Sequence, residues 1–299
     1  PLTDPVNNFY SQRATTDSLF IWATGNDGND DPSVNSGLPY LYPELEKGWI
    51  AVTAVDSETG LFSSYANKCG VAENWCIAAV GDYDFHVQRS SGSGTSFATP
   101  VITGTAALVK QKYPWMNSDL VRQTILSTAT DKGDKGVDKV YGWGLVNVSK
   151  AVKGPALFDK RLALGDYVNV SFDNVTSSFD NNIGGDAGLI KDGSGTLLLT
   201  GVNSYTGNNI IKNGQLKING SSVSGVAIQS QGVLSGDGGY IASNVVNEGG
   251  TLVNEGAGLT IQGDYSATSS SIIESEPNAT LIIKGKAILN DSNLIVIIP

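Results

Sequence analysis

The sequence predicts an α/β domain with a parallel sheet and packed helices, followed by an all-β parallel β-helix. In the first half, apolar runs of strand length occur together with segments of helical spacing, as in α/β domains. After Gly154-Pro155 the helical spacing disappears, and short strands alternate with turns of Gly, Asn, Asp and Ser. A chain of 299 residues accommodates about two domains. We expect an α/β domain over 1–154, a linker with the first strands over 155–187, and the β-helix over 188–299.

Three apolar runs have the length of a buried strand. They cover residues 19–23, 49–55 and 76–81. The first run leads into the turn Thr-Gly-Asn-Asp-Gly, and Asn26 lies in that turn. Functional sites of α/β folds collect just beyond the carboxyl ends of strands, so Asn26 is a candidate site residue. Asparagine is also a common turn former, and that alternative stays open on position alone.

The segment Gly-Ser-Gly-Thr-Ser-Phe-Ala-Thr-Pro, residues 92–100, predicts a tight loop that turns into a helix. We expect Pro100 in the first turn, where a missing N–H is tolerated, and apolar residues on nearly every side up to Lys110 predict a helix buried all round. Ser96 then lies at the helix start, where free backbone donors and the helix dipole favour negative charge. This position suits an acyl-transfer nucleophile, although most serines at helix starts are caps.

Residues 94–100 closely resemble the motif around the nucleophile of subtilisin-like serine proteases, the S8 family or subtilases. The segment Ala-Thr-Gly-Asn-Asp-Gly, residues 23–28, is similar to the one whose asparagine donates to the oxyanion in that family. The resemblance extends over about 19–152 and includes residues 63–67 and 141–147.

The resemblance implies a serine endopeptidase with Ser96 as the nucleophile and Asn26 in the oxyanion hole. It also implies that Ala23, Thr24 and Gly25 line part of the substrate pocket. The expected substrates are peptides or proteins, and the chemistry requires neither a metal nor an organic cofactor.

The catalytic base is missing from this pattern. The family has its aspartate and histidine far upstream of the serine, and no residue before Asn26 matches either motif. His86, the only histidine, does not fit that order, and we expect it to be a loop residue near the cleft. We therefore expect the C-terminal part of a protease domain that is inactive without its N-terminal part. The alternative is a surface-displayed binding or structural module with a degenerate protease-like head.

Charge and cysteine content restrict the partners and the compartment. The chain has 29 acidic and 19 basic residues, a net charge of −10, which argues against a nucleic-acid partner. Cys69 and Cys76 are its two cysteines, and because other features point outside the cytoplasm we expect a disulfide rather than reduced thiols. Asp27, Asp30 and Asp31 invite a calcium hypothesis, but a solvated acidic turn is the favoured interpretation.

The second half has internal repeats. Gly-X-Leu triplets at 214–216, 232–234 and 250–252 recur every 18 residues, and a similar triplet occurs at 195–197. Such a period predicts a stacked solenoid, in which Leu216 and Ile218 face inward on either side of Lys217. A β-sandwich is the competing fold.

Residues 188–207 resemble the passenger-associated repeat of bacterial autotransporters. In those proteins a β-helical stalk links an exported head to an outer-membrane translocator barrel. The resemblance implies export through the periplasm, a secreted or cell-surface location, and a translocator barrel downstream.

Overall fold

The computed structural model describes residue 8, residue 12, residues 16–85 and residues 90–296. The chain divides into two compact units, Pro1–Val152 and Lys153–Pro299. Among the described residues, no helix combines the length and apolar character needed to cross a membrane.

The first unit is built on a parallel sheet in the order β1-β2-β3. Its strands are β1, Phe20–Ala23; β2, Trp49–Val55; and β3, Cys76–Val80. Every side chain of the central strand β2 is buried, because it is paired on both edges and covered on both faces. This burial explains why the sequence of β2 is a continuous apolar run rather than an alternating one.

Short helical turns lie between the strands of the sheet, and a hairpin leads from β3 to the long helix. The 3₁₀ helices are Leu38–Tyr40, Pro43–Gly48 and Gly70–Trp75. An antiparallel hairpin of β4, Asp82–Phe85, and β5, Ser90–Ser93, follows β3. The chain then enters α1, Thr95–Lys112. Helices α2, Ser118–Ser127, and α3, Val148–Ala151, complete the unit.

Two expectations about helix α1 are wrong. Pro100 lies inside the helix rather than in its first turn, because the helix already begins at Thr95. The helix is also not buried all round: Ala98, Ile102, Thr105 and Val109 form a buried stripe, whereas Phe97 and Leu108 are 37% and 45% exposed. The sheet covers one side of the helix only, so apolar composition overstated its burial.

A disulfide joins Cys69 to Cys76, whose Cα atoms are 5.7 Å apart. It connects the start of the 3₁₀ helix Gly70–Trp75 to the start of β3. Both cysteines are fully buried in the core. They belong to a hydrophobic core cluster that also contains Leu38, Leu45, Trp49, Ala51, Ala72 and Trp75. The bridge therefore fixes the loop that precedes the third strand.

The second unit is a parallel β-solenoid. Short elements precede or flank its first coil: β6, Leu157–Phe158; α4, Lys160–Ala163; and β9, Gly184–Gly185. The coils contribute strands to three parallel stacks. The first stack contains β7, Tyr167–Ser171; β10, Gly188–Asp192; the first part of β13, Asn209–Ile218; the first part of β15, Val226–Gly236; β17, Val245–Asn247; β20, Tyr265–Ala267; and β23, Ala287–Ile288.

In the other two stacks, the strands of successive coils also pair in chain order. The second contains β8, Thr176–Phe179; β11, Thr196–Leu199; the later parts of β13 and β15; β18, Thr251–Asn254; β21, Ile272–Ser275; and β24, Asn293–Val296. The third contains β12, Val202–Asn203; β14, Ser221–Ser222; β16, Gly239–Ile241; β19, Leu259–Ile261; and β22, Leu281–Ile283.

The repeats seen in the sequence stack on one another in register. Leu216 pairs with Leu197 on one side and with Leu234 on the other, and Leu234 pairs with Leu252. All four leucines are fully buried. All of these pairings are parallel, so the parallel β-helix is confirmed and the sandwich alternative is wrong.

A lysine lies inside the solenoid among apolar side chains. Lys191 is fully buried, and its Nζ donates to the carbonyl oxygens of Asp192 and Gly193 at 2.7 Å and of Asn213 at 3.2 Å. The same atom lies 5.0 Å from the ring centroid of Phe172. Burial lowers the pKa of Lys191 to about 8, against the opposing charges of nearby aspartates.

This lysine should make the stability of the solenoid depend on pH. Between about pH 8 and 10 the unfolded chain keeps a proton on Lys191 that the folded unit has lost, because the folded pKa is about 8 and the ordinary value 10.5. The free energy of unfolding should therefore rise with pH in this window, by up to ~1.4 kcal/mol per pH unit. Lys191→Met should remove the rise, whereas the exposed Lys212→Met should keep it.

Urea unfolding at pH 7.5 and 9.5, followed by far-ultraviolet circular dichroism, measures this slope. The fluorescence of tryptophan separates the transition of the first unit, because all five tryptophans precede residue 153. Equal slopes in the wild type and Lys191→Met would contradict the assignment.

The disulfide should stabilise the first unit. The double variant Cys69→Ser, Cys76→Ser should lower the free energy of unfolding by about 2.5 kcal/mol, the loop-entropy contribution of a bridge over so short a loop. Urea unfolding followed by tryptophan fluorescence measures the difference. A double variant as stable as the oxidised wild type would show that the core alone fixes this loop.

Candidate active site

The structure brings Asn26 and Ser96 to one place. Asn26 follows the carboxyl end of β1, and Ser96 is the second residue of α1. Thr95, the residue before the serine, donates to the Asn26 Oδ1 atom from its backbone N–H at 2.8 Å and from its hydroxyl at 3.0 Å. The Thr95 hydroxyl also accepts from the N–H of Gly25 at 3.2 Å. These bonds join the turn after β1 directly to the start of α1.

The same bonds fix the orientation of the Asn26 amide. Both donors of Thr95 point at one atom of that amide, which must therefore be the oxygen. The amide nitrogen lies near Gly94. No described residue accepts a hydrogen bond from this nitrogen, and the Asn26 side chain is exposed. Its two N–H groups are free to donate to a ligand.

Ser96 is exposed, and its hydroxyl has no hydrogen-bond partner among the described residues. At the second position of α1 its backbone N–H has no intrahelical acceptor. The first bond within the helix start runs from the N–H of Phe97 to the carbonyl of Gly94, at 2.9 Å. The Ser96 N–H and the Asn26 amide are therefore two donors at one helix start, where the dipole also favours negative charge. Such a site can stabilise an oxyanion.

Gly94 allows this close approach. Its φ of +154° is one that other residues rarely adopt. A Cβ atom at this position would lie 3.3 Å from the Asn26 amide nitrogen. The N–H of Gly94 donates to the carbonyl of Gly81 at 2.9 Å, which holds the turn to the end of β3. A side chain at position 94 would press on the free amide nitrogen.

The three expected pocket residues differ in what they can present to a substrate. Ala23 and Gly25 are half-buried at the end of β1. Thr24 is fully buried, and its hydroxyl donates to the carbonyl of Asn67 at 2.9 Å. Its side chain therefore points into the interior, and only its backbone is available to line a pocket.

A cleft of about 420 Å³ lies at the β4–β5 hairpin, in the loop that leads into α1. It is lined by Asp56, Ser57, Glu58, Asp82, Tyr83, Ser91, Gly92 and Ser93. The ring of Tyr83 lies 6.4 Å, centroid to centroid, from the ring of Phe97, the residue after the serine. Burial raises the pKa of Tyr83, so its hydroxyl stays neutral near pH 7. The cleft therefore has an acidic and hydroxyl-rich wall.

The acidic turn after Asn26 has structural partners. Asp30 forms an ion pair with Lys68 at 2.7 Å, and this hydrogen bond holds the pKa of its carboxyl below the usual value. Asp31 accepts from the N–H of Val71 at 3.0 Å, at the start of the helix Gly70–Trp75. Asp27 is exposed. His86 lies outside the described residues, so the structure does not test its position.

Thr95 and Asn67 both shape this site, although the sequence motifs predict no role for either. Thr95 lies inside the nucleophile motif, and its place directly before Ser96 was a usable signal. Asn67 ends the family-like stretch 63–67 and is 2% exposed. Its sequence neighbours, Ala66 and Lys68, gave no signal for a buried amide.

Family models match two parts of the chain. Residues 1–144 match the subtilase family, peptidase S8. Residues 189–218 match the passenger-associated transport repeat. The first match covers the strand–turn and loop–helix segments that carry Asn26 and Ser96.

Three relatives align with most of the chain. The Neisserial autotransporter lipoprotein NalP of Neisseria meningitidis serogroup B is 35% identical over 272 residues, which is 85% of this chain and 24% of the relative. The serotype-specific antigen 1 of Mannheimia haemolytica is 36% identical over 73% of this chain and 24% of its own. An extracellular serine protease of Serratia marcescens is 30% identical over 80% of this chain and 28% of its own length. The chain thus spans about a quarter of the length of these relatives.

Among solved structures, the prenylagaramide maturation protease PagA is 26% identical, with a TM-score of 0.41, over 51% of this chain and 56% of that chain. The patellamide maturation protease PatA is 26% identical, with a TM-score of 0.40, over 55% of this chain and 58% of that chain.

The bonds between Thr95 and the turn after β1 should stabilise the first unit. Thr95→Val removes one of the two donors to Asn26 and leaves the N–H of Gly25 without its acceptor, so we expect a loss of about 1–2 kcal/mol in the free energy of unfolding. Thr95→Ser keeps the hydroxyl and should lose less. Urea unfolding followed by tryptophan fluorescence compares the variants, and equal losses for valine and serine would contradict this role of the hydroxyl.

Proposed function

The first unit of this chain belongs to the subtilase family of serine proteases, and on that premise we propose that it carries the nucleophile and oxyanion hole of a secreted endopeptidase. One observation supports this most strongly. Thr95, directly before Ser96, binds the amide oxygen of Asn26, while the Asn26 amide nitrogen and the Ser96 hydroxyl have no partner among the described residues.

In this proposal the Ser96 hydroxyl attacks a peptide carbonyl. The carbonyl oxygen gains negative charge and accepts hydrogen bonds from the Asn26 amide nitrogen and the Ser96 backbone N–H. The N-terminal end of α1 adds favourable electrostatics. The cleft that includes Tyr83, whose ring lies 6.4 Å from that of Phe97, would receive part of the substrate chain. Collapse of the intermediate expels the amine and leaves an acyl-serine, which water then hydrolyses.

We propose that the base comes from an upstream histidine, oriented by an upstream aspartate, and that this chain alone is inactive. The sequence has one histidine, and its position does not fit the family order. Two features mark where a preceding part of the domain would pack. Among the described strands, only β2 pairs with β1, and the other edge of β1 has no described partner. The face of α1 around Phe97 and Leu108 is exposed and apolar.

We propose that the second unit is the stalk of an autotransporter passenger. Its support is the match of residues 189–218 to the passenger-associated transport repeat and the similarity to an autotransporter lipoprotein. The protein is secreted or held at the bacterial cell surface, in agreement with its extracellular and autotransporter relatives. Its partners would be peptide or protein substrates outside the cell and an outer-membrane translocator downstream of the stalk.

The proposal is tested with the protein encoded by the whole open reading frame. The wild type should hydrolyse peptides and react with a fluorophosphonate probe, and Ser96→Ala should abolish both. Asn26→Ala should lower kcat by about 10²–10³-fold with little change in KM, since the donor acts on the transition state. Ser149→Ala is the matched control, because Ser149 is also an exposed serine at the second position of a helix. Asn35→Ala, in an exposed loop, is the control for the amide.

Full turnover in Ser96→Ala would overturn the assignment of the nucleophile. A folded wild type that neither hydrolyses peptides nor reacts with the probe would favour the alternative, a non-catalytic surface module with a degenerate protease-like head.

A further inference from the structure

Asn67 lies under the turn that carries Asn26. It lies between β2 and the 3₁₀ helix Gly70–Trp75, and it is 2% exposed. Its side-chain nitrogen donates to the carbonyl of Thr24 at 3.0 Å. Its side-chain oxygen accepts from the N–H of Asp27 and of Asn29, each at 3.0 Å. One buried amide thus bonds to the backbone on both sides of residue 26.

The backbone of Asn67 binds the same turn. Its N–H donates to the carbonyl of Gly25 at 2.9 Å. Its carbonyl accepts from the hydroxyls of Thr24 at 2.9 Å and Thr53 at 2.8 Å. Thr53 belongs to the fully buried strand β2, so this carbonyl is bonded to the central strand of the sheet. The turn after β1 is therefore attached to the core through residue 67.

The turn is shaped around this amide. Gly25 has a φ of +111°, and a Cβ atom there would lie 2.5 Å from the side-chain nitrogen of Asn67. Only glycine permits both the backbone angle and the close approach. No hydrogen bond joins Asn67 to Asn26 or Ser96 among the described residues, so its action on them is indirect.

We infer that Asn67 is a positioning residue for the oxyanion donor, an inference that rests on the proposed function. Thr95 holds the amide end of the Asn26 side chain, and Asn67 holds the backbone from which that side chain extends. Together they set where the free amide nitrogen lies relative to Ser96. Preorganisation of this kind is demanding, because a donor displaced by about 1 Å from the oxyanion loses up to about 100-fold in rate.

The chemistry of the contacts requires an amide. Residue 67 donates one side-chain hydrogen bond, to a carbonyl, and accepts two, from N–H groups. Asparagine has both functions at this length. Aspartate keeps the acceptors but sets a carboxylate oxygen against the Thr24 carbonyl. Alanine removes all three bonds.

A double-variant comparison in the whole protein separates positioning from general stability. Asn67→Ala should lower kcat by about 10–100-fold with little change in KM, and Asn67→Asp by less. In Asn26→Ala, the further change Asn67→Ala should lower kcat no further, because the donor that residue 67 positions is already gone. Gln123→Ala is the matched control: Gln123 is a buried amide of the same unit, 4% exposed, that bonds to Asp119 in α2.

The inference is overturned if the losses of Asn26→Ala and Asn67→Ala multiply, or if Asn67→Ala keeps the wild-type kcat. Should Asn67→Ala not fold, the same comparison with Asn67→Asp decides, and multiplying losses again overturn it. Failure of the proposed function gives a different result: either the wild type itself is inactive, or Ser96→Ala and Asn26→Ala keep activity whatever substitution stands at residue 67.

Discussion

The two hydrogen bonds from Thr95 to the amide oxygen of Asn26 are the contact on which the site depends. They join residues 69 apart in the chain, at the end of β1 and the start of α1. Because they occupy the oxygen, they leave the amide nitrogen free beside Ser96. Asn67 supports the same arrangement by holding the backbone of the turn, and Gly94 supports it by leaving space beside the amide.

The two units have different cores: a covered parallel sheet in the first, and stacked apolar ladders in the second. Much of the fold could be predicted from the sequence. Strand β2 has the bounds expected from its apolar run, since a strand covered on both faces is apolar throughout. The repeat of Gly-X-Leu corresponds to one coil, so the leucines stack in register. The prediction that helix α1 is buried on all sides is wrong, since Leu108 is 45% exposed. Burial depends on what covers a helix, and composition alone does not reveal that.

The site could be predicted in part. Ser96 and Asn26 follow from short motifs, but the residues that hold them do not. Asn67 bonds to Asp27 from 40 residues away, and no local pattern carries such a contact. The direction of the Thr24 side chain was also hidden, because a threonine after a strand can face either the interior or a cleft. Nothing in the sequence before Asn26 matches the family's base, so the proposed mechanism depends on an upstream aspartate and histidine.

The most direct measurement is a crystal structure of the whole protein after reaction with a fluorophosphonate. The account expects phosphorus bonded to the Ser96 hydroxyl oxygen, with the phosphoryl oxygen about 2.7–3.1 Å from both the Asn26 amide nitrogen and the Ser96 backbone nitrogen. Phosphorus bonded to another residue, or a phosphoryl oxygen directed away from Asn26, would contradict it.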